Sequence, residues 1–268
     1  MLKDITLGQY FPGDTPVHRL DPRTKIILTI VYIAALLSAN TWSGYLLSFL
    51  ALAAATAVSR IKPKAMLRGL KPLVFIIAFT AVLNLFFTTG DDYIFQWRFL
   101  HISVAGVRNA AAMMLRVILL VSGTFLLTYT TSPLAITDGL ERLLNPLKKL
   151  KVPVYELTLM MCIALRFIPT IIEDTDHIMS AQKARGADLE TGTLPERAKA
   201  LLPLLIPLFV SSFRRADELA LAMECRCYNG GEGRTRMKQL HMAGRDVVAF
   251  VLGALLVTGI WLLRGYGI

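Results

Sequence analysis

Long apolar runs constrain the fold of this chain more than any other feature of its sequence. The longest covers residues 104–129 and contains only two charged side chains, Arg108 and Arg116. A helical run of this length can cross the ~30 Å hydrocarbon core of a lipid bilayer. With 54% hydrophobic residues and a mean hydropathy of +0.54, the chain is also too apolar for an ordinary soluble domain. We therefore expect an all-α integral membrane protein.

Four other apolar runs bring the expected number of membrane-spanning helices to about five. They cover residues 26–39, 45–58, 72–89 and 247–263. Asp21 is suited to cap the first helix, with Pro22 at its first position. Arg108 lies near the start of its span and can reach the lipid headgroups. Arg116 lies deeper, so we expect its side chain to face protein or a polar cavity.

The distribution of cations indicates the orientation of the chain in the membrane. Residues 1–25 carry four cations, and residues 60–71 carry five cations and no acid. The first loop carries none, and the third is net negative, with Asp91 and Asp92 against Arg98. Because cations favour the cytoplasmic side, the N-terminus is predicted to lie inside. The predicted parts are a cytoplasmic arm (1–25), spans one to four (26–130), a cytoplasmic region (131–245), and the last span with an external C-terminus (246–268).

The predicted cytoplasmic region contains one short and two long helices. The short one is amphipathic and covers residues 132–146. The long ones contain apolar stretches at residues 157–172 and 200–213, each about 14–16 residues long, a length typical of interfacial or protein-buried helices. We therefore expect both to lie at or under the cytoplasmic face. A seven-span topology in which both cross the membrane is the alternative.

Each long helix ends on an arginine, Arg185 or Arg226. The two positions differ by 226 − 185 = 41, and at this offset Ala181 falls on Ala222. An arginine at a helix C-terminus is favoured by the helix dipole alone. Its planar fork of donors also matches a carboxylate on another protein. Both interpretations are open on the residues alone.

Catalytic, metal and nucleic-acid functions find little support in the sequence. It contains no phosphate-binding glycine loop and no nucleophile elbow, and the spacing of Cys225 and Cys227 is not that of a common zinc site. We expect Glu173, Asp174 and Asp176 to form the solvated face of a helix, and not a cation site. The formal net charge of +10 is attributed to membrane topology, so no nucleic-acid partner is expected. A third cysteine is Cys162.

The chain resembles the transmembrane T component of energy-coupling factor (ECF) transporters over nearly its full length. The motifs that carry the resemblance are His18-Arg-Leu-Asp-Pro-Arg-Thr-Lys25, Thr137-Asp-Gly-Leu-Glu with Leu144-Asn-Pro-Leu-Lys-Lys149, Leu165-Arg-Phe-Ile-Pro169, Ala181-Gln-Lys-Ala-Arg-Gly186 and Ala222-Met-Glu with Arg226 and Tyr228. In that family, two Ala-Arg-Gly signatures dock into grooves on a pair of ATP-binding-cassette ATPases. The resemblance assigns this role to Ala184, Arg185 and Gly186 and to Cys225, Arg226 and Cys227. The second site departs from the family, because cysteines replace alanine and glycine.

The resemblance also implies partners for this chain. A T component, here most like the group shared between transporters, holds one substrate-binding S component at a time from several alternatives. ATP and magnesium are then bound by the ATPases, so this chain is expected to bind no cofactor and to catalyse no reaction. The implied location is a bacterial or archaeal cell membrane. Candidate residues for the S-component face are Met160, Met161, Leu204, Leu205 and Phe209, since a Met- and Leu-rich surface repacks against different partners.

Two rival functions come from other classes of protein. A secondary transporter would bind its own substrate near the membrane midplane between inverted repeats. The repeat seen here lies in the predicted cytoplasmic region, and Arg116 is the only deep charge in the predicted spans. A membrane enzyme would need clustered polar or metal-binding residues within the spans.

Overall fold

The computed structural model describes residues 10–87, 93–97, 100–187, 193–231 and 240–265. Within these residues the chain is almost wholly helical, so the expected all-α fold is confirmed. The helices are α1 (Pro22–Ser38), α2 (Trp42–Ser59), α3 (Pro63–Leu70), α4 (Val74–Phe87), α5 (Val104–Thr130), α6 (Pro133–Leu144), α7 (Val154–Ala184), α8 (Leu194–Cys225) and α9 (Gly244–Gly265). Short 3₁₀ segments, Lys71–Leu73 and Asn145–Leu150, precede α4 and follow α6.

A small antiparallel hairpin joins α4 to α5 and was not predicted from the sequence. Its strands are β1 (Tyr93–Trp97) and β2 (Leu100–Ser103), and the backbone register is irregular between Tyr93 and Phe95. The hairpin leads directly into α5, whose first turn is capped by the Ser103 hydroxyl accepting from the Gly106 N–H at 2.9 Å.

Local capping sets the start of α1 as the sequence predicted. The Asp21 carboxylate accepts a hydrogen bond from the Arg23 N–H at 2.9 Å, and Pro22 occupies the first helical turn. At the end of α2, Arg60 adopts a left-handed backbone conformation with a φ of 53°. This residue stops the helix and turns the chain into α3.

The chain divides into two compact units. One comprises Gly8–Arg142 with Leu240–Ile268, and its main core lies between α1, α2, α5 and α9. Leu36 and Leu119 are fully buried in this core. The helices approach closely where residues are small: a Cβ added at Gly123 of α5 would lie 2.5 Å from the ring of Tyr32 on α1.

Arg116 faces protein, as its depth in the apolar run predicted. Its Nη2 donates to the Ala39 carbonyl at 2.9 Å and to the Tyr45 hydroxyl at 2.6 Å. The guanidinium also lies over the Tyr45 ring, 5.6 Å from its centroid. Arg116 therefore fixes the turn between α1 and α2 against the middle of α5.

The described part of the chain contains five helical segments long and apolar enough to cross a membrane, the number expected. The membership differs from the prediction in one exchange. Helix α1 has 17 residues and falls short on length, whereas α7 qualifies by its length and apolar composition. The qualifying segments are Trp42–Ser59, Pro63–Phe86, Val104–Thr130, Val154–Ala184 and Gly244–Gly265. Whether α1 or α7 crosses the bilayer is thus a separate question from the number of spans.

Candidate functional site

The second compact unit covers Leu143–Gln239 and is built around α7 and α8, which pack antiparallel. Late residues of α7 lie beside early residues of α8, since the Gln182 amide donates to the Pro203 carbonyl at 3.3 Å. At the other end of the pair, a Cβ added at Gly231 would overlap the ring of Tyr155. Both helices continue through internal prolines, at Pro169 in α7 and at two positions in α8. The sequence predicted these two long helices but not their antiparallel contact.

An ion pair joins the two helices between these ends. The Arg215 Nη2 lies 2.6 Å from the Asp174 Oδ2, and the Ser211 hydroxyl donates to the same oxygen at 3.3 Å. The side chains of Asp174 and Arg215 are only 25% and 28% exposed. Of the expected solvated face, Glu173 is exposed, whereas Asp174 is partly buried in this ion pair. Sequence spacing along one helix could not reveal it, because its partner lies on the other.

Helix α7 ends in a hydrogen-bonded turn that presents Arg185. The Gly186 N–H donates to the Lys183 carbonyl at 3.0 Å, and the Ala187 N–H donates to the Gln182 carbonyl at 3.0 Å. Gly186 has a φ of 84°, in the left-handed region that this turn requires. The turn satisfies the last carbonyls of the helix and leaves Arg185 exposed at its tip.

Helix α8 ends in the same turn around Arg226, although its sequence lacks the glycine. The Cys227 N–H donates to the Glu224 carbonyl at 2.8 Å, and the Tyr228 N–H donates to the Met223 carbonyl at 3.0 Å. Cys227 takes the left-handed conformation with a φ of 55°. A residue with a Cβ pays about 1–2 kcal/mol for this conformation. Cys227 is thus accommodated by local strain, and α8 ends as α7 does.

The two tips are therefore copies of one structure. Ala184, Arg185 and Gly186 are all exposed, and so are the three residues related to them by the 41-residue offset. Those three residues are Cys225, Arg226 and Cys227, and both cysteines are free thiols. Each tip offers an exposed guanidinium fork beside a small side chain. Such a fork can bind a carboxylate through two parallel hydrogen bonds.

Four of the five candidate residues for a partner-binding face are exposed in α7 and α8. Met160 is 63% exposed and Phe209 is 62% exposed, and Met161 and Leu205 are exposed as well. Leu204 is different, because it is 5% exposed and so unavailable at the surface. It follows Pro203, whose carbonyl accepts the hydrogen bond from α7, on the inner side of α8. A run of leucines in the sequence does not reveal which one turns inward.

A buried polar cluster at the start of α1 explains the His-Arg-Leu-Asp-Pro-Arg-Thr-Lys motif structurally. The Lys25 Nζ donates to the carbonyls of His18 at 3.0 Å and Thr130 at 2.9 Å. The Asp21 N–H donates to the Asp246 carboxylate at 2.8 Å. Burial lowers the pKa of Lys25 to about 8, and the Asp246 and Asp21 carboxylates oppose this shift. The motif thus fastens the N-terminal arm to α5 and α9.

Sequence reasoning missed Asp246, which is 1% exposed. Its other carboxylate oxygen accepts from the Ala243 N–H at 2.8 Å and caps the start of α9. The signal was present in the sequence as an acid at the third position of an apolar helix. Its contact with Asp21, however, spans 225 positions and could not be inferred. Among the described residues, no group of three or more His, Cys, Asp and Glu side chains is placed to hold a metal ion.

Comparison with known proteins identifies the family of this chain. The family model described as a cobalt transport protein, CbiQ, matches residues 13–237. The energy-coupling factor transporter transmembrane protein EcfT of Clostridium kluyveri is 52% identical over 258 residues, which cover 96% of each chain. EcfT of Bacillus subtilis is 47% identical over 260 residues, or 96% of this chain and 98% of its own. EcfT of Lactococcus lactis is 46% identical over 259 residues, or 96% and 97%.

Five apolar helices and these relatives together define a multi-pass membrane subunit of a transporter. The chain belongs to the CbiQ/EcfT family of energy-coupling factor transporter transmembrane proteins. The resemblance drawn from the sequence motifs is thereby confirmed. Membership also makes the chain one component of an energy-coupling factor transporter complex.

Proposed function

We propose that this chain couples ATP hydrolysis by two cytoplasmic ABC ATPases to the uptake of a vitamin or metal ion. A separate S component holds the substrate, and this chain binds one S component at a time from several alternatives. The ATPases bind ATP and magnesium, and this chain itself catalyses nothing. The protein lies in a bacterial or archaeal cell membrane with its N-terminus in the cytoplasm, in keeping with the nine cations in residues 1–25 and 60–71.

The observation that carries this proposal is the pair of matching arginine tips. Helices of 31 and 32 residues, α7 and α8, end in identical turns that expose Arg185 and Arg226. One chain with two equivalent tips is suited to engage two equivalent partners, such as a pair of ATPases. Acidic groups in a groove of each ATPase would accept the guanidinium donors.

Charge reversal at both tips tests the docking. In Arg185→Glu with Arg226→Glu, each tip repels the acidic groove that it is proposed to enter. Losing a buried charged pair costs about 2–5 kcal/mol, so recovery of the ATPases with the tagged protein should fall at least tenfold. The measurement is quantitative mass spectrometry of the complex extracted gently from native membranes.

A matched control keeps the charge change but moves it away from the tips. Lys199 and Arg214 are both exposed on α8, so Lys199→Glu with Arg214→Glu introduces the same change in charge. This variant should recover ATPases like the wild type. Equal recovery from the tip variant and the wild type would refute the docking role, and solute transport by the isolated protein would favour a secondary transporter instead.

The exposed apolar surface of α7 and α8 supports the S-component part of the proposal. Met160, Met161, Leu205 and Phe209 remain its candidate residues, and Leu204 is no longer one because it is buried. Flexible Met and Leu side chains suit a surface that accepts several partners in turn. The same mass-spectrometric experiment counts the different S components that are recovered with the protein. Several different small membrane proteins would indicate a shared component, and a single one would indicate a dedicated transporter.

A further inference from the structure

We propose that a cavity between the N-terminal arm and the turn from α2 to α3 binds the phosphate of an anionic phospholipid. The cavity has a volume of about 430 Å³, in the size range of sites for small ligands. Its walls are residues 11–15 with His18 from the arm, and residues 59–62 with Ala65 from the turn and α3. All of these residues belong to the first of the two compact units. The inference does not rest on the proposed coupling function.

The cavity lies where three apolar segments end. Ser59 is the last residue of α2, and Ala65 lies in the first turn of the segment Pro63–Phe86. The arm reaches the end of α5, because the Phe11 N–H donates to the Tyr129 carbonyl at 3.0 Å. All three segments are long and apolar enough to cross a membrane. Since the ends of spanning helices lie at the level of the lipid headgroups, a headgroup can reach this cavity from the bilayer.

The charges that line the cavity favour a phosphate. Arg60 and Lys62 both line it and are both exposed. Among the described residues, neither of these side chains is paired with a carboxylate. Asp14 also lines the cavity, but its carboxylate accepts from the Arg19 Nε at 3.4 Å, which offsets its charge. The guanidinium and ammonium donors are therefore available to phosphate oxygens.

His18 builds the wall of the cavity and has no ring nitrogen left for a ligand. Its Nδ1 lies 2.6 Å from the Thr15 hydroxyl, and its Nε2 lies 3.1 Å from the Phe11 carbonyl. Because a carbonyl can only accept, Nε2 carries the proton and donates, and Nδ1 accepts from the hydroxyl. These two bonds hold the arm in its turn around the cavity. Recognition of the phosphate therefore falls to Arg60 and Lys62.

An apolar stripe on α2 indicates that this phosphate belongs to a lipid. Leu50, Ala54 and Val58 are four residues apart and so share one face of the helix, and all three are exposed. The stripe ends one residue before Ser59, which lines the cavity. Acyl chains need such a surface beside their phosphate, whereas a free phosphate does not. The cations favour a lipid with a net negative charge, such as phosphatidylglycerol, over zwitterionic phosphatidylcholine.

The test titrates dioleoyl phosphatidylglycerol into the full-length protein in mild detergent, and native mass spectrometry measures the fraction with lipid bound. Arg60→Asn with Lys62→Gln removes both cations, and asparagine tolerates the left-handed backbone of position 60. The affinity for this lipid should fall by about tenfold or more. The matched control is Lys64→Gln with Arg68→Gln, which removes two exposed cations of α3 that do not line the cavity. It should bind the lipid nearly as tightly as the wild type.

A second variant, Ala65→Phe, fills the cavity and leaves every charge in place. It should also weaken binding, and it carries the test if the variant without Arg60 and Lys62 does not fold. For the wild type, dioleoyl phosphatidylcholine should bind more weakly than phosphatidylglycerol, and excess inorganic phosphate should not displace the lipid.

Four results would each overturn the proposal. Displacement by inorganic phosphate would assign the cavity to a free anion, and equal affinity for phosphatidylcholine would remove the selection by charge. Equal losses in the two double variants would place binding on the whole basic surface. Unchanged affinity after removal of Arg60 and Lys62 would place it elsewhere. Because this readout involves no ATPase, such a failure leaves the proposed function standing.

Discussion

Cys227 shows at the scale of one residue how a residue other than glycine closes the same turn that Gly186 closes at the other tip. Its φ of 55° is the conformation that Gly186 adopts without strain at the other tip. We predict that Cys227→Gly stabilises the last turn of α8 by about 1 kcal/mol. Cys227→Val should destabilise it, because a β-branched residue tolerates positive φ poorly. Hydrogen exchange of the amides that close this turn measures both effects.

Cys225 supplies the matched control for this prediction. It is the last residue of α8, has ordinary helical geometry and is equally exposed. Cys225→Ala should therefore change the hydrogen-exchange rates of these amides only slightly, through the small difference in helix propensity between cysteine and alanine. Faster exchange in Cys227→Gly than in the wild type would show that the cysteine is not strained.

Lys25 gives a prediction about pH. Burial lowers its pKa in the folded protein from 10.5 to about 8. Below pH 8 both the folded and unfolded states carry the proton, and the folded state bears the full cost of burying the charge. Between pH 8 and 10.5 the unfolded chain binds more protons, so this cost is progressively relieved and stability rises with pH. The thermal midpoint of the wild type relative to Lys25→Met should therefore increase across this window.

The same variant tests what the lysine holds together. Lys25→Met leaves the carbonyls of His18 and Thr130 without their donor and should cost about 2 kcal/mol of stability at pH 7. Thermal unfolding in mild detergent gives the value. A gap between the two proteins that narrows from pH 8 to pH 10 would contradict the depressed pKa.

At the scale of the helices, Asp246 links two elements that are far apart in sequence. Its carboxylate accepts from the Asp21 N–H at the start of α1 and from the Ala243 N–H at the start of α9. Asp246→Ala leaves both buried donors unpaired and should cost about 3 kcal/mol. Asp246→Asn keeps one acceptor and should cost less. Thermal unfolding measures both, with exposed Asp217→Ala as the control; equal midpoints for Asp246→Ala and wild type would refute the link.

The elements that the sequence predicted well are those set by neighbouring residues. Asp21 and Pro22 fix the start of α1, and the arginine tips mark the ends of α7 and α8, because caps depend on a few adjacent positions. The partners of Asp174 and Asp246 depend on how distant helices pack, which apolar periodicity does not encode. For the same reason, Leu204 could not be separated from its exposed leucine neighbours before its burial was known.

At the scale of the whole molecule, α1 and α7 differ in their fitness to cross the membrane: α1 is short, whereas α7 is long enough but carries acidic residues. Helix α1 is about 25 Å long, less than the ~30 Å of a hydrocarbon core. Its ends are nevertheless fixed to α5, through Lys25 on the Thr130 carbonyl and Arg116 on the Ala39 carbonyl. It therefore runs beside the C-terminal half of a helix that is long enough to span. We expect a short helix held in this way to cross with local thinning of the bilayer.

Helix α7 is long enough to span, but it combines an apolar first half with Glu173, Asp174 and Asp176 in its second half. Charged residues are costly in the hydrocarbon, so we expect this helix to stay on the cytoplasmic side. Single cysteines at two exposed positions that flank most of α7, Lys151 and Ser180, test this directly. The background is Cys162→Ala, Cys225→Ala and Cys227→Gly, which removes the native thiols.

If α7 does not cross, Lys151→Cys and Ser180→Cys both react with a membrane-impermeant maleimide on the same side. The orientation predicted from the cations makes that side the cytoplasm, so both should react in inside-out vesicles and not in intact cells. Trp42 is exposed at the turn between α1 and α2. Trp42→Cys should react in intact cells and not in inside-out vesicles, and this result would show that α1 crosses the membrane. Reaction of Lys151→Cys and Ser180→Cys from opposite sides would make α7 a span. If α8 crossed as well, the two arginine tips would lie on opposite sides of the membrane, because α7 and α8 pack antiparallel and end in opposite directions.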